Sequence, residues 1–421
     1  MSAKLVVTLA PKLAAGDAIA FARRARAHGA ELLELRTDLH RAGELDVPAL
    51  ARCIGLVVAE RGAAAPPAWR QGAALFDREL DAGEAAGASL VSLHAERPLS
   101  PSEALTRWGV VAPGPLVKHV EPLTATSRAG IREALARLLE TRARLEQRFG
   151  AGRVTVLVTG PLALPLRALL AEGNALDYVA LEPAWQAAPG QRLLDDAARA
   201  ARAATTSERL AILGTGIAGS RSPRVHRAPF DRIELADDAP VEELIAALHP
   251  HYRGFAITSP FKRRAARIAN SELEAVNTLV RTAEGYRGAN TDVVGAGAVL
   301  AALAPRGSHQ AGVTVLGDGG AAAALRVAAA SRGFELHVLK RQGVRAPMGG
   351  AVVWTWPARV PVPAALTFDH ARVAVIAYGS AARTIADIVK ERGGVPCLLG
   401  PRWFVAQARA QRELWEEARR S

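Results

Sequence analysis

Residues 31–38 read ELLELRTD, a short apolar run in which Glu34, Arg36 and Asp38 fall at every second position. Such a run bounded by polar residues predicts a strand, and strand alternation puts these three side chains on one face. An unpaired charge on an inward face is costly. A carboxylate–guanidinium–carboxylate set there is either a structural ion network or the floor of a polar pocket. Working outward, seven further runs of this kind occupy the chain up to Pro183: LVVTLA from Leu5, GLVVAE from Gly55, ALFDREL from Ala74, LVSLHAE from Leu90, GPLVKHV from Gly114, VTVLVTG from Val154 and DYVALEP from Asp177. Eight such strands with helical segments between them predict a (β/α)8 barrel. The helices include 16–28 and the amphipathic 130–149, where apolar residues recur at three- and four-residue spacing. Only about ten residues separate ALFDREL from LVSLHAE, so a helix there is vestigial or missing.

At 421 residues the chain exceeds one ordinary core and divides into domains. A polar, Ala-rich stretch at 195–209, DDAARAARAATTSER, precedes a fresh strand, LAILG, which places a domain boundary near residue 206. The barrel then spans 1–205 and a second α/β region 206–421. VTVLGDGG at 313–320 starts another βα unit inside that region and divides it into two lobes.

Half of the residues are hydrophobic and 22% are charged, with 37 Gly and 25 Pro, the composition of a soluble globular α/β protein. The two cysteines, Cys53 and Cys397, lie far apart in apolar runs, which is neither a disulfide framework nor metal-ligand spacing. A reduced, cytoplasmic setting is expected. The N-terminal MSAKLVVTLAPKL has no long apolar segment after a basic start, and no apolar stretch reaches membrane-spanning length, so neither secretion nor a membrane span is expected. The net charge of +12 comes from Arg residues scattered singly through Ala-rich helices, without aromatic platforms or a basic run. Nucleic-acid binding is therefore not expected; a positive field instead attracts small carboxylates and phosphorylated cofactors.

In a barrel the functional residues stand at the C-terminal ends of the strands. His94 ends LVSLH, and Lys118 lies inside the otherwise apolar GPLVKHV. A lone His is more often a satisfied rim residue than a catalyst. A lysine in a buried strand loses solvation, which favours the neutral amine that attacks a ketone to form an imine; the bland alternative is a structural partner for the Glu34 cluster. Arg61, Arg167 and Gln191 add donors suited to a carboxylate and hydroxyls. Taken in order, Glu-x-Arg-x-Asp, a strand-end His followed by LSPSEAL, a Lys in an apolar strand, an Arg and Pro-Gly-Gln resemble type I 3-dehydroquinate dehydratases over residues 1–195. The resemblance implies that Lys118 is the Schiff-base lysine, that His94 is the general acid/base, and that Glu34, Arg36, Arg61, Arg167 and Gln191 bind substrate. The chain departs from the pattern at Ala65-Pro66-Pro67, where the family has an acidic Glu-Gly-Gly, at Ala187 before Pro-Gly-Gln, where it has Ser, and at Gly173-Asn174.

From residue 210 the chain reads LAILGTGIAGSRSPRVHRAPF, then GFAITSPFKRRA, EAVNTL and GANTDVVGA. Ser220 and Ser222 ahead of Pro223 either cap a helix or grip a carboxylate. Lys262 and Asp292, in isolation, form either a surface ion pair or a proton-transfer pair. The ordered set Ser-x-Ser-Pro-x-x-His, Thr-x-Pro-Phe-Lys, Ala-Val-Asn-Thr and Asn-Thr-Asp-x-x-Gly resembles the substrate domain of shikimate dehydrogenases. That resemblance implies a catalytic pair Lys262 and Asp292, with Ser220, Ser222, Thr258, Asn277 and Gln407 binding shikimate. It also implies a substrate lobe of 206–300 rejoined by a C-terminal helix at 400–421, and a Rossmann-like lobe of 301–399 for NADP. Gly317, Gly319 and Gly320 let backbone amides approach a pyrophosphate, while Lys340 and Arg341 suit a 2′-phosphate. Trp354-Thr355-Trp356-Pro357 stands where the family has Ile-Asn-x-Thr-Pro, and the segment from Arg341 to AVVWTW is shorter than in the family.

The reading that joins both halves is a bifunctional shikimate-pathway enzyme using NADP. Two alternatives stay open at this point: an active dehydratase with a cofactor-deficient sensor half, and a non-catalytic regulator on these folds. No metal site is implied, and the sequence is silent on oligomeric state.

Overall fold

The computed structural model describes residues 3–11, 13–41, 43–82, 87–203, 209–226, 228–303, 312–343, 348–358 and 360–420. The expected domain boundary near residue 206 lies outside the described residues. The chain clusters into two compact units, Met1–Phe261 and Lys262–Ser421.

In the first unit the eight apolar runs form eight strands: β1 (Lys4–Thr8), β2 (Leu32–Arg36), β3 (Gly55–Ala59), β4 (Leu75–Glu79), β5 (Leu90–His94), β6 (Leu116–Pro122), β7 (Val154–Thr159) and β8 (Leu176–Val179). They pair in parallel in the order β7-β6-β5-β4-β3-β2-β1-β8. The remaining seam is closed by Ala175 N donating to Val154 O at 2.8 Å and Leu176 N to Thr155 Oγ1 at 2.9 Å. Between β4 and β5 the described residues hold only a 3-10 turn, Leu80–Ala82.

Alternation sorts the barrel residues. Val7, Leu33, Leu35, Leu56 and Val58 point outward to pack on Phe21 and Leu50 of the covering helices, while Val6, Leu32, Val57, Leu90 and Leu157 fill the inside. The apolar filling gives way to charge one inward layer further along the strands, at Glu34, Asp77 and Lys118, all buried. Three more parallel strands, β9 (Arg209–Gly214), β10 (Phe230–Glu234) and β11 (Tyr252–Ile257), run in the order β10-β9-β11 in the same unit. The Val241–Leu248 helix, which follows β10, meets the barrel's Arg128–Phe149 helix, where Glu243 accepts from Arg128 N at 2.6 Å.

The second unit opens with the Lys262–Ile268 helix and an antiparallel hairpin of β12 (Thr278–Arg281) and β13 (Tyr286–Ala289). Its main sheet is all parallel, β14 (Val313–Leu316), β15 (Leu336–Leu339), β16 (Ala351–Trp354), β17 (Arg372–Val375) and β18 (Val395–Leu398), in the Rossmann-like order β15-β14-β16-β17-β18. The C-terminal Gly400–Glu417 helix returns to the hairpin, with Trp415 Nε1 donating to Leu279 O at 2.9 Å. Trp403 on that helix lies so close to Gly295 that a Cβ there would meet its ring at 2.9 Å, so the Asp292–Leu303 helix needs glycine at this crossing. No helix among the described residues is long and apolar enough to cross a membrane.

Candidate active sites

The mouth of the barrel encloses a cavity of about 530 Å³, and all seven candidate residues of the first half, Glu34, Arg36, Arg61, His94, Lys118, Arg167 and Gln191, line it. Lys118, at the centre of β6, is buried, with its Nζ 3.0 Å from Asp77 Oδ2, 3.8 Å from Glu34 Oε1 and 4.4 Å from the centre of the Tyr178 ring. The expectation of an amine in apolar surroundings is thus modified: its wall is two carboxylates and an aromatic face. Asp77 is fully buried and also accepts from Arg61 at 2.6 Å and Ser92 Oγ at 2.5 Å. Burial pushes the Asp77 carboxyl up, but Lys118 and Arg61 overcome this and hold it below the usual range. Arg61 is held firmly protonated: burial opposes its charge, and Asp77, Glu34 and Glu79 more than compensate. Glu34 is itself anchored by Thr8 Oγ1 at 2.7 Å.

His94 stands at the end of β5, half-exposed, with Nδ1 at 2.9 and 3.0 Å from the two oxygens of Glu79. Glu79 Oε1 also accepts from the His94 backbone N–H at 2.9 Å. A carboxylate against Nδ1 selects the tautomer that leaves Nε2 for proton transfer. Burial raises the Glu79 carboxyl, and the hydrogen bond and charge of His94 bring it below the ordinary value.

Arg167 comes from the Ala163–Leu170 helix and is 2% exposed. Its Nη2 donates to Tyr178 O at 2.7 Å, its Nε has no hydrogen-bond partner, and it forms no ion pair among the described residues. Burial pushes the guanidinium down to about 10, with Asp177 opposing and Arg192 adding to the fall. A buried guanidinium with spare donors in a cavity wall is suited to a carboxylate. Gln191 is oriented by the turn before it, its Oε1 accepting from Ala187 N at 2.7 Å. Arg36 differs from the expectation of an inward charged set: it forks onto Asp38 at 2.6 and 3.0 Å at the partly exposed rim, and only Glu34 of that trio is deeply buried. Sequence reading missed Asp77, Glu79 and Tyr178. Asp77 and Glu79 are two apart on β4, the same alternation that singled out Glu34.

Still in the first unit, Ser220 Oγ lies 3.3 Å from Ser222 Oγ and accepts from Ser222 N at 3.3 Å. Arg221, at the N-cap position of the short Ser222–Val225 helix, makes no side-chain cap, and Ser220 Oγ is the group that accepts from the helix's first N–H. Thr258, just beyond β11, packs over Gly214, where any Cβ would collide with its methyl.

In the second unit Lys262 Nζ and Asp292 Oδ2 form a close ion pair, each at the first residue of its helix. Asp292 is largely buried and Lys262 a quarter exposed. Asn277 is buried, its Oδ1 accepting from Thr291 N at 2.8 Å, while its Nδ2 has no hydrogen-bond partner among the described residues. Gln407 accepts from Trp403 Nε1 at 3.1 Å; Gln411, one turn on and overlooked in the sequence, is the one that reaches Asn277 O, at 3.3 Å.

After β14, Gly317 has φ +121° and leaves no room for a Cβ beside Thr355 Oγ1 and the Trp356 ring. Gly319 precedes the Gly320–Ala330 helix, which has no side-chain cap, and a Cβ at either Gly319 or Gly320 would meet nothing within 4 Å. Free first-turn amides beyond a glycine turn on a parallel sheet suit a pyrophosphate, so the residues present fit a dinucleotide. Asp318 in this turn is neutralised by Arg326 and by Lys340 at 3.4 Å. Arg341 is exposed, 6.0 Å from the Trp356 ring. Trp354 and Trp356 are both buried in the core on one side of the sheet, in contact edge to face.

No family model matches this chain. A shikimate dehydrogenase (NADP(+)) of Microcystis aeruginosa is 36% identical over 148 residues, which is 31% of this chain and 51% of the relative. Another, from Acidiphilium cryptum, is 35% identical over 183 residues, 38% of this chain and 64% of the relative. The chain spans about half the length of the curated relatives it matches. Among solved structures, the dehydroquinate dehydratase and shikimate dehydrogenase from S. pombe AroM aligns over 99% of this chain and 96% of its own, at 19% identity and a TM-score of 0.39.

Proposed function

We propose that the chain is a bifunctional enzyme of the shikimate pathway. The barrel, placed at residues 1–205, dehydrates 3-dehydroquinate to 3-dehydroshikimate, and residues 206–421 reduce that product to shikimate with NADPH. The observation that carries the first assignment is Lys118, a buried amine in a polar cavity between Asp77 and Glu34. Its Nζ adds to the C3 ketone and water leaves, giving an iminium whose positive charge faces the two carboxylates and is stabilised by them. His94, oriented by Glu79, takes the C2 proton, and the electron pair moves into the iminium. The C1 hydroxyl then departs as water with a proton returned by the same imidazole, and hydrolysis frees the product and Lys118. Arg167 holds the substrate carboxylate, while Arg36, Arg61 and Gln191 orient its hydroxyls.

For the second reaction the support is the Lys262–Asp292 pair together with relatives described as shikimate dehydrogenases. Ser220 and Ser222 take the carboxylate, Thr258, Asn277 and Gln407 the hydroxyls, and Lys262 with Asp292 delivers the proton to the C3 oxygen. Gly317 makes the turn, its own amide bonded to Leu339 O, and the amides of Gly319 and Gly320 would hold the pyrophosphate, with Arg341 on the 2′-phosphate. When bound, NADPH supplies the hydride.

Borohydride added with 3-dehydroquinate tests the barrel: the reading expects a covalent adduct on Lys118 and none in Lys118→Ala, and it fails if the wild type is not labelled. Shikimate-dependent NADP⁺ reduction tests the second half, with loss expected in Lys262→Ala and Asp292→Asn. Its absence in the wild type while labelling persists would leave only a ligand-binding relic there.

A further inference from the structure

The residues from Gln191 to Asp196 run from the barrel cavity towards the serine turn. Gln191 lines the cavity. Arg192, next to it and buried, pairs with Asp177 on β8 at 3.0 Å and reaches Asp231 on β10 at 3.5 Å. Asp231 is gripped at both oxygens by Arg209 at 2.8 Å and by the Tyr252 hydroxyl at 2.8 Å. At the end of the path Asp196 Oδ2 accepts from Arg232 Nη1 at 2.5 Å, while its other oxygen takes Arg199 at 2.6 Å. Arg232 directs its remaining contacts, Nη2 at 2.8 Å and Nε at 3.3 Å, onto a single acceptor, the main-chain carbonyl of Ser220.

Arg232 is 9% exposed and Asp196 3%; Asp196 is shared between Arg232 and Arg199, whereas Arg232 has Asp196 as its ion-pair partner among the described residues. Without Asp196, the guanidinium is a buried charge held by one carbonyl and has every reason to turn toward water, releasing Ser220. Without Arg232, the Ser220 carbonyl loses the two bonds that set the pitch of the turn carrying both serine hydroxyls. The helix supplying Asp196, Leu194–Arg202, directly follows the barrel's last strand and loop. The barrel therefore holds the serine turn through the Asp196–Arg232 salt bridge and the forked hydrogen bond to Ser220 O, with a longer, more exposed ion pair beside them, Asp195 to Arg224 at 3.7 Å.

We propose that Asp196 and Arg232 are positioning residues for shikimate recognition, through which the barrel sets the geometry of the carboxylate-binding serines of the second activity. This rests on Ser220 and Ser222 being substrate ligands. The test uses the full chain: shikimate titrated calorimetrically and steady-state NADP⁺ reduction, for wild type, Arg232→Ala, Arg232→Lys and Asp196→Asn, with borohydride labelling of Lys118 as a check on the barrel. The expected result is a shikimate KM and Kd raised at least about tenfold in Arg232→Ala and roughly threefold or more in Asp196→Asn, with kcat at saturation and NADP⁺ affinity held. Labelling of Lys118 stays at the wild-type level, and Arg232→Lys, which keeps the charge but not the fork, falls between. If Arg232→Ala does not fold, Arg232→Lys and Asp196→Asn decide by the same readouts. Folded variants with wild-type shikimate affinity overturn this inference alone. A wild type that binds no shikimate overturns it together with the assignment of the serines.

Discussion

Replacing Arg167 with methionine exchanges a buried guanidinium for an apolar side chain of similar reach. In the wild type that guanidinium has one hydrogen bond, to Tyr178 O, and no ion-pair partner among the described residues, and burial pushes it down from its ordinary value to about 10. At about 1.4 kcal/mol per tenfold change in proton affinity, this corresponds to roughly 3 kcal/mol against the charged form in the folded state. Losing the bond to Tyr178 O gives back about 1–2 kcal/mol. The net expectation is that Arg167→Met stabilises the ligand-free protein by roughly 1–2 kcal/mol, a rise in Tm of roughly 2–8 °C. The same change removes a charge-assisted contact to the substrate carboxylate worth about 2–3 kcal/mol, so KM for 3-dehydroquinate should rise roughly 30- to 150-fold. Scanning calorimetry without ligand and dehydratase kinetics read the two effects separately. A variant that melts several degrees lower and keeps its KM would refute the reasoning, because Arg167 would then be a structural residue and not a reserved anion site.

Glu79→Gln keeps the shape of the His94 contact but removes the charge that stabilises the imidazolium; dehydratase kcat should fall at least about tenfold while borohydride labelling of Lys118 continues, and an unchanged kcat would remove Glu79 from the mechanism. Asp77 and Asp231 both titrate below the ordinary carboxyl value when folded, so their contribution is present above the unfolded pKa of about 4 and is lost as pH falls through the lower folded values. The Tm should therefore be flat from neutral pH to about 5 and drop steeply below about 4, with a shallower acid limb in Asp231→Asn; an equally steep limb in that variant would contradict the linkage. Arg341→Ala should raise the KM for NADP⁺ at least about tenfold and leave that for NAD⁺ within about twofold, as read by shikimate oxidation with each cofactor.

The backbone was more legible than the chemistry. All eight barrel strands lie where the apolar runs put them, because a strand buried on both faces must be apolar and turns interrupt it. The residues around the first cavity were readable for a different reason: charge is conspicuous in such strands, and Lys118 and Glu34 could not be ignored. Asp77 escaped because ALFDREL contains three charges and only a closed barrel reveals which of them turns inward; Asp77 is 0% exposed while Arg78 faces out to pair with Glu60. Glu79 escaped because its value lies in a partner on the next strand, His94, a pairing set by register. The fate of the two tryptophans was open in the sequence, since a Trp at a strand end packs inward or outward according to the turn after it; Trp354 Nε1 bonds Trp356 O at 3.1 Å and both rings turn into the core. Gln407 and Gln411 are one helical turn apart, and spacing alone does not say which meets Asn277.

The two proposed activities on one chain make a demand that neither half meets alone, and NADPH consumption by the purified protein with 3-dehydroquinate as the sole carbon substrate tests it most directly. The account predicts steady NADPH oxidation with shikimate accumulating, abolished by either Lys118→Ala or Lys262→Ala and recovered when the two variants are mixed. No NADPH oxidation from 3-dehydroquinate by the wild-type chain would contradict it.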